Sequence, residues 1–409
     1  MNAEQIITQC EEELKNQYKQ AEDIALFNQE KVLEAFRKNR VALMHFSSTT
    51  GYGYDDIGRQ TLCKVFADIF RAEDAIVSPL FASGTHTIST ALFGFLRPGD
   101  LMLSISGIPY DTLLPVINGN NIGSLKDFGV SFDSVKLKNG DFDYEEIEKK
   151  LKSPHKIVYI QRSRGYEYRN AFLIEQLKKV IEFVKQRSNA PIFVDNCYGE
   201  FVETVEPLEL GADVIMGSLI KNPGGGLAYT GGYIAGKKEY IDKIQSRYSA
   251  PGVGTEVGSY AAGYQNYYQG IFMAPHVVLQ AMKGSLLFGQ AFEKLGYEVL
   301  PKTDIMAGDI VRSIKFGTAD EVIAFCRAVQ KTSPVDSHVV PYPWDMPGYT
   351  DQVIMAAGAF VQGSSIELSA DSPLREPYVV YLQGALTYEH AKIAVKNCLQ
   401  DVLALNKRN

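Results

Sequence analysis

Apolar residues recur along the first forty positions at spacings of three and four: Ile6, Ile7, Cys10 and Leu14, then Val32, Leu33 and Phe36. Polar residues fill the gaps, and that period predicts a helical arm. The rhythm then changes. From about 60 to 235 the chain alternates amphipathic stretches with short apolar runs: AIVSPL (75–80), DLMLSI (100–105), KIVYIQ (156–161), PIFVDN (191–196), DVIMGS (213–218) and GGYIAG (231–236). Between the third and fourth runs, Leu173, Ile174, Leu177, Val180, Ile181 and Val184 share one helical face. Such alternation predicts βαβ units around a mostly parallel sheet, with ligands at the carboxyl ends of the strands.

Beyond about 285 the runs DIVRSIKF, DQVIMAAGAF, SSIELSA and EPYVVYLQG read as strands, with helices near 319–332 and 387–405, the latter capped by Thr387. The expected organisation is an N-terminal helical arm (1–45), a large α/β domain (46–285) and a smaller α+β domain (286–409). There is no internal repeat and no low-complexity segment.

Composition narrows the function classes. The 41 Lys and Arg against 48 Asp and Glu leave a net charge of −7, the opposite of a nucleic-acid binder's basic surface. No stretch approaches the apolar run of about 18 residues that a membrane span needs. The first residues carry neither the basic start nor the apolar core of a signal peptide, so a cytoplasmic protein is expected. Five scattered cysteines and six dispersed histidines predict neither a disulfide framework nor a protein-ligated metal.

Three motif matches weaken on inspection. GGYIAGKK (231–238) has Lys238 where a phosphate loop needs Ser or Thr, and it reads as a strand. Gly51 and Gly53 begin no dinucleotide fingerprint, because Asp56 stands where its third glycine belongs. Ser218-Leu-Ile-Lys221 has the S-x-x-K spacing of penicillin-binding serine hydrolases, but no K-T-G follows. That last match remains as an alternative.

Four strand ends carry polar residues. Ser83-Gly84-Thr85 precedes an amphipathic helix and offers free N–H groups to an anion, or simply caps the helix. Tyr110 follows the second run and could stack on a planar ligand or plug a gap. Asp195 ends an apolar strand, where an acid is costly unless a cation meets it. Lys221 lies just past another strand end, in a segment whose triple glycine would let the backbone crowd a ligand. An anion cradle, an aromatic plate, a buried acid and a lysine together suit pyridoxal 5′-phosphate.

The order S-G-T, Tyr, D-N-C-Y, S-L-I-K also resembles the fold-type-I pyridoxal-phosphate enzymes of the cystathionine and methionine γ-lyase group. GYGYDDIGR (51–59), QRSRGY (161–166), KNPGGGLAYTGGYIAG (221–236) and REPYVVYLQGALTYEH (375–390) resemble its bacterial aluminium-resistance branch. The resemblance implies that Lys221 links covalently to the cofactor and Asp195 pairs with the pyridine nitrogen. Gly84, Thr85 and Ser218, with Ser83 beside them, would hold the phosphate, and Tyr110 would stack and serve as acid or base. Tyr54 (or Tyr52) and Arg59 would reach a neighbouring subunit's phosphate, which requires at least a homodimer; the resemblance suggests a tetramer. Arg375 would grip the substrate's α-carboxylate. Two departures stand out: Ile220 precedes the lysine where the group has a hydroxyl residue, and Arg162 and Arg164 replace an Asn-containing loop. Those arginines are either substrate ligands or an ion-pair cluster with Glu167.

The expected activity is carbon–sulfur β- or γ-elimination on a small sulfur amino acid such as cystathionine, cysteine or methionine. An aminotransferase or other amino-acid enzyme on the same cofactor is the alternative.

Overall fold

The chain is described here by a computed structural model covering residues 2–346 and 349–406. Two helices open it, α1 (Ala3–Glu13) and α2 (Lys15–Lys38), with Asn2 and Gln5 forming a reciprocal capping box at the start of α1. The expected single arm divides its loyalties. Ile6, Ile7 and Cys10 of α1 join the apolar core of the C-terminal part, whereas Val32 and Ala35 of α2 join the core of the large sheet.

The large sheet follows: α3 (Ile57–Ile69), β1 (Asp74–Ser78), α4 (Gly84–Phe95), β2 (Leu101–Ser104), α5 (Leu114–Asn118), β3 (Ser131–Ser134), α6 (Tyr144–Lys150), β4 (Ile157–Gln161), α7 (Ile174–Lys185), β5 (Ile192–Asp195), β6 (Val214–Ser218), β7 (Gly232–Gly236) and α8 (Lys238–Ile244). Its strand order is β1-β7-β6-β5-β4-β2-β3, and only β7 runs against its neighbours. Each of the six apolar runs forms a strand because helices cover both faces, which makes continuous apolar sequence the stable choice. β4, β5 and β6 are buried at every residue. Their polar carboxyl-end residues are therefore the exceptions that need a reason.

A 30-residue helix, α9 (Gln265–Lys294), leads onward and runs through the boundary expected at 285–286. Contrary to the sequence expectation, its length and composition are those of a membrane span. Its apolar side chains, from Ile271 and Val278 to Leu287 and Phe292, are instead spent in the two protein cores. After it come β8 (Glu298–Leu300), β9 (Arg312–Lys315), α10 (Ala319–Thr332), β10 (Val353–Ala356), β11 (Ser369–Pro373), β12 (Val379–Gln383) and α11 (Tyr388–Asn406). The second sheet is antiparallel, ordered β10-β11-β12-β9-β8, with α10 and α11 against it. The strand expected at SSIELSA begins only at Ser369. Upstream, the Glu367 carboxylate accepts the backbone N–H groups of Phe360 and Val361, both at 2.9 Å, and that local capture bends the chain out of the ladder.

Candidate active site

At the carboxyl edge of the large sheet, register sets Gln161 of β4 opposite Asp195 of β5, and Asp195 opposite Met216 of β6. Ser218 ends β6, and the chain then turns sharply to present Lys221. Helix α4 points its N-terminus at the same edge: a Cβ added to Gly84 would sit 3.4 Å from Ser218 Cβ and 3.9 Å from Cys197 Sγ. Between them opens a cavity of about 320 Å³ lined by Gly84, Thr85, Tyr110, Asp195, Ser218 and Lys221, with the small sheet closing the far side. Ser83 is placed differently. Its hydroxyl accepts the His86 N–H at 3.0 Å, so the side chain caps α4 and stands behind the cavity wall.

Tyr110 is held at both ends. Its backbone N–H donates to Gln161 Oε1 at 2.9 Å, and its hydroxyl lies 3.1 Å from Thr85 Oγ1. Burial pushes its phenol up, so it keeps its proton at neutral pH. Burial also pushes the Asp195 carboxyl up, offset in part by Lys221 and by the Cys197 N–H at 3.1 Å. At Lys221, burial opposes the charge, and the surrounding Cys197, Tyr198 and Asp195 groups more than restore it. The ammonium lies 4.1 Å above the Tyr198 ring and, among the described residues, makes no hydrogen bond or ion pair. Tyr198 itself is left-handed (φ +71°), which a bulky residue rarely adopts. The residue after the lysine is fixed from below, where Asn222 Nδ2 donates to the carbonyls of Tyr198 (3.0 Å) and Glu200 (2.9 Å). Glu200 is fully buried, accepts the Tyr233 hydroxyl at 2.8 Å, and is pushed up to about 8 by burial.

Several expected ligands are not in this cavity. Arg162 is wholly buried off its wall, with its guanidinium on Glu203 (2.6 Å), Asn196, Gly199 and the Phe172 carbonyl. It clamps the loop that follows β5. Arg164 is equally buried and paired with Asp309 at 3.1 Å, with further bonds to Leu300, Ser313 and Val311, so it ties the β4 loop to the small domain. Both are corrected from substrate ligands to struts. The Glu167 cluster forms with Arg169 instead, at 2.7 Å. Arg375 is also corrected: 51% exposed, it pairs with Asp351 at 2.7 Å and does not reach the cavity.

The glycines of 224–226 crowd protein, not ligand. A Cβ at Gly224 would collide with the Leu219 carbonyl, one at Gly225 with the Gly270 carbonyl of α9, and one at Gly226 with Leu386. The Gly-rich segment 249–260 is likewise held by protein. Arg59 donates to the carbonyls of Gly258 (2.7 Å), Gly53 (3.1 Å) and Glu256 (3.3 Å), clasping it to 51–59 within one chain. Tyr52 and Tyr54 are exposed on that clasp, their rings 5.5 Å apart.

Other lining residues were not among those the sequence singled out. Asp371 of β11 faces the cavity, bonded by the Tyr166 hydroxyl, and burial pushes its carboxyl up to about 6. Tyr381 and Gln383 of β12 line the same wall, Tyr381 donating to the Tyr166 carbonyl at 2.7 Å. The strand period of 2 that puts Tyr381 and Gln383 on one face is the only signal that could have found them.

A buried acid and a lysine that, among the described residues, form no ion pair, with a helix N-terminus on the same cavity, fit pyridoxal phosphate. Asp195 suits its pyridine nitrogen, Lys221 its aldehyde, and the start of α4 its phosphate. Ser218 fits a hydrolytic nucleophile less well. Among the described residues its hydroxyl bonds only the Gly231 carbonyl (3.5 Å) and the Ile220 N–H (3.3 Å), with no base attached.

The mostly parallel seven-stranded sheet with this site is the fold-type-I pyridoxal-phosphate architecture. The pyridoxal-phosphate-dependent protein YhfS of Escherichia coli shares the fold, with a TM-score of 0.63 at 16% identity over 93% of this chain and 96% of that one. Residues 3–403 match the methionine gamma-lyase family model, and the chain belongs to that family. Protein YnbB of Bacillus subtilis is 50% identical over 391 residues, covering 94% of this chain and 93% of YnbB. A carbon–sulfur lyase of Clostridium novyi involved in aluminium resistance superposes with a TM-score of 0.93 at 49% identity, covering 97% and 95% of the two chains.

Proposed function

We propose that the protein is a pyridoxal-phosphate-dependent carbon–sulfur lyase that eliminates a thiol from a small sulfur-containing amino acid. The observation that carries this reading is Lys221: a part-buried lysine whose amine, among the described residues, makes no hydrogen bond or ion pair, facing a cavity it shares with the buried acid Asp195. When bound, the cofactor would supply an electron sink for the charge left by loss of the α-proton. The Lys221 amine would take that proton. Asp195 would hold a proton on the pyridine nitrogen, the start of α4 with Thr85 and Ser218 would hold the phosphate, and Tyr110 would lie against the ring with its hydroxyl able to protonate a departing sulfur. An acid inside an apolar strand end is tolerable because a cationic ring nitrogen would offset its desolvation.

The family membership and the carbon–sulfur lyase relative support elimination over amino transfer. The same reading carries a homo-oligomer, at least a dimer, in which the exposed Tyr52 and Tyr54 meet a second copy; light scattering on the purified protein tests it. The decisive experiment is the visible spectrum before and after borohydride, a peptide map of the reduced protein, and an assay for thiol, ammonia and keto acid. A bleachable band, a cofactor adduct on Lys221 and thiol release are expected. A colourless protein that takes up no added pyridoxal phosphate overturns the reading, and an amino-group acceptor requirement without thiol release replaces it with an aminotransferase.

A further inference from the structure

Arg312, the first residue of β9, passes α9 at Gly289, where a Cβ would lie 3.2 Å from both Arg312 Cδ and Nε. Its guanidinium lines a second cavity of about 70 Å³, bounded by α2, α9 and the segment 304–309. The side chain is 1% exposed and, among the described residues, forms no ion pair. A guanidinium carries five N–H donors. Here Nε serves Ser285 Oγ at 3.2 Å and Nη1 the Pro301 carbonyl, while Nη2 has no acceptor among the described residues. The carboxylates nearby are otherwise engaged. Asp309 lines the same cavity, but its Oδ1 takes Arg164 and the Val311 N–H, both at 3.1 Å, and its Oδ2 the Ser163 hydroxyl at 2.9 Å. Glu293 accepts the Thr303 hydroxyl at 2.7 Å, and Asp304 lies exposed at the rim. Burial and the like charge of Arg164 push the Arg312 guanidinium down to about 10, with Glu293 and Asp309 only partly opposing them. A buried cation that nothing neutralises is costly, so the cavity is where its counter-charge belongs.

Two other groups on the wall define what that counter-charge must carry. Ser285 accepts from Arg312, which leaves its own O–H to donate. Gln17 is the opposite case. Its Nε2 donates to the Thr303 carbonyl at 3.3 Å, which fixes the orientation of the amide, and its Oε1 is buried with no partner among the described residues. The volume suits a ligand of a few heavy atoms, since one water takes up roughly 30 Å³ of the liquid. We propose that this cavity binds a small oxyanion that keeps a proton, of the hydrogencarbonate class. Its charged oxygens would meet Arg312 and the Ser285 hydroxyl, and its O–H would donate to Gln17 Oε1. The bound anion would tie α2, α9 and the segment 304–309 together, whatever chemistry runs at Lys221.

Melting of the purified holoenzyme in hydrogencarbonate or nitrate, at equal ionic strength and fixed pH, tests this, because nitrate has the same shape and charge but no proton. Hydrogencarbonate should raise the midpoint progressively with concentration. Its apparent Kd should lie about 10-fold below that of nitrate, which gives Gln17 Oε1 no donor. Gln17→Leu should bring the two anions level, Arg312→Gln should abolish both shifts, and Asp304→Asn should leave both in place. No shift in the unaltered protein, a hydrogencarbonate shift that survives in Arg312→Gln, or nitrate as effective as hydrogencarbonate overturns the site. So does an Asp304→Asn protein that melts lower and alone responds to hydrogencarbonate, since Asp304 would then be the counter-ion. If Arg312→Gln does not fold, crystals of the unaltered enzyme soaked in hydrogencarbonate decide. Planar, three-lobed density between Arg312 and Gln17 supports the site, and water alone overturns it.

Discussion

The two walls of the cavity obey different rules. The large-domain wall is made of strand ends and a helix start, where backbone geometry alone delivers Asp195, Ser218 and Gly84 to one edge. Its chemistry lies where the chain leaves a buried parallel sheet, and polar residues there stand out from apolar runs. The small-domain wall is made of side chains along one face of two neighbouring antiparallel strands, Asp371 and Tyr381 from strand middles and Gln383 from a strand end, with Tyr166 reaching across from the other domain. One wall is positioned locally and the other by docking. The difference teaches that the first wall can be read from the order of residues along the chain, whereas the second exists only once the two sheets have docked.

Cations sharpen the contrast. Arg164 is buried and its two terminal nitrogens bond Asp309, Leu300, Ser313 and Val311 to join the walls, while Lys221 lies over the Tyr198 ring and, among the described residues, makes no hydrogen bond or ion pair. Lys221→Ala should therefore leave the fold intact and lower thiol release by about 10²–10⁴-fold or more, together with loss of the borohydride-sensitive band. Unchanged turnover would remove the first wall's chemical role. Arg164→Ala should do the reverse, leaving Asp309 buried without its cation. A loss of about 3–5 kcal/mol in unfolding free energy is expected from urea titration.

Tyr166→Phe probes the docking contact alone. It strips the Asp371 Oδ2 of its donor and should cost about 1–3 kcal/mol in the same titration while cofactor absorbance is retained. A lost band would mean that the two walls act as one unit in holding the cofactor. The smallest effect at low pH is expected from Glu200→Gln, beneath the first wall. The Glu200 carboxyl is raised in the folded state to about 8, so the native protein binds its proton more tightly than the unfolded chain does. Its contribution to stability is thus complete below the ordinary carboxyl range and is lost as pH climbs towards 8. The urea midpoint of the variant should gain on that of the parent between pH 5 and 8.5; parallel profiles would show that Glu200 does not titrate in this window.

Legibility followed the same division. All six apolar runs of 75–236 became strands, because burial on both faces leaves little freedom in what such strands can be made of. β3, with sequence SFDS, escaped notice because it is a polar edge strand, and α9 because glycines and Pro275 interrupt its helical pattern. The arginines were misplaced for another reason. A charged residue beside a strand end reads the same whether it faces a cavity or turns back into protein, and only the positions of Glu203 and Asp309 decide.

From its own order of residues, then, the chain determined a parallel sheet, its strand ends and the set Gly84, Thr85, Tyr110, Asp195, Ser218 and Lys221. These follow from periodicity, from the cost of burying charge and from resemblance carried by contiguous motifs. Tertiary structure alone decided which cations are struts, why the triple glycine is needed and that Asp371 looks into the site. Each of these depends on atoms from segments far apart in sequence meeting at contact distance, and a pattern of single positions does not record that.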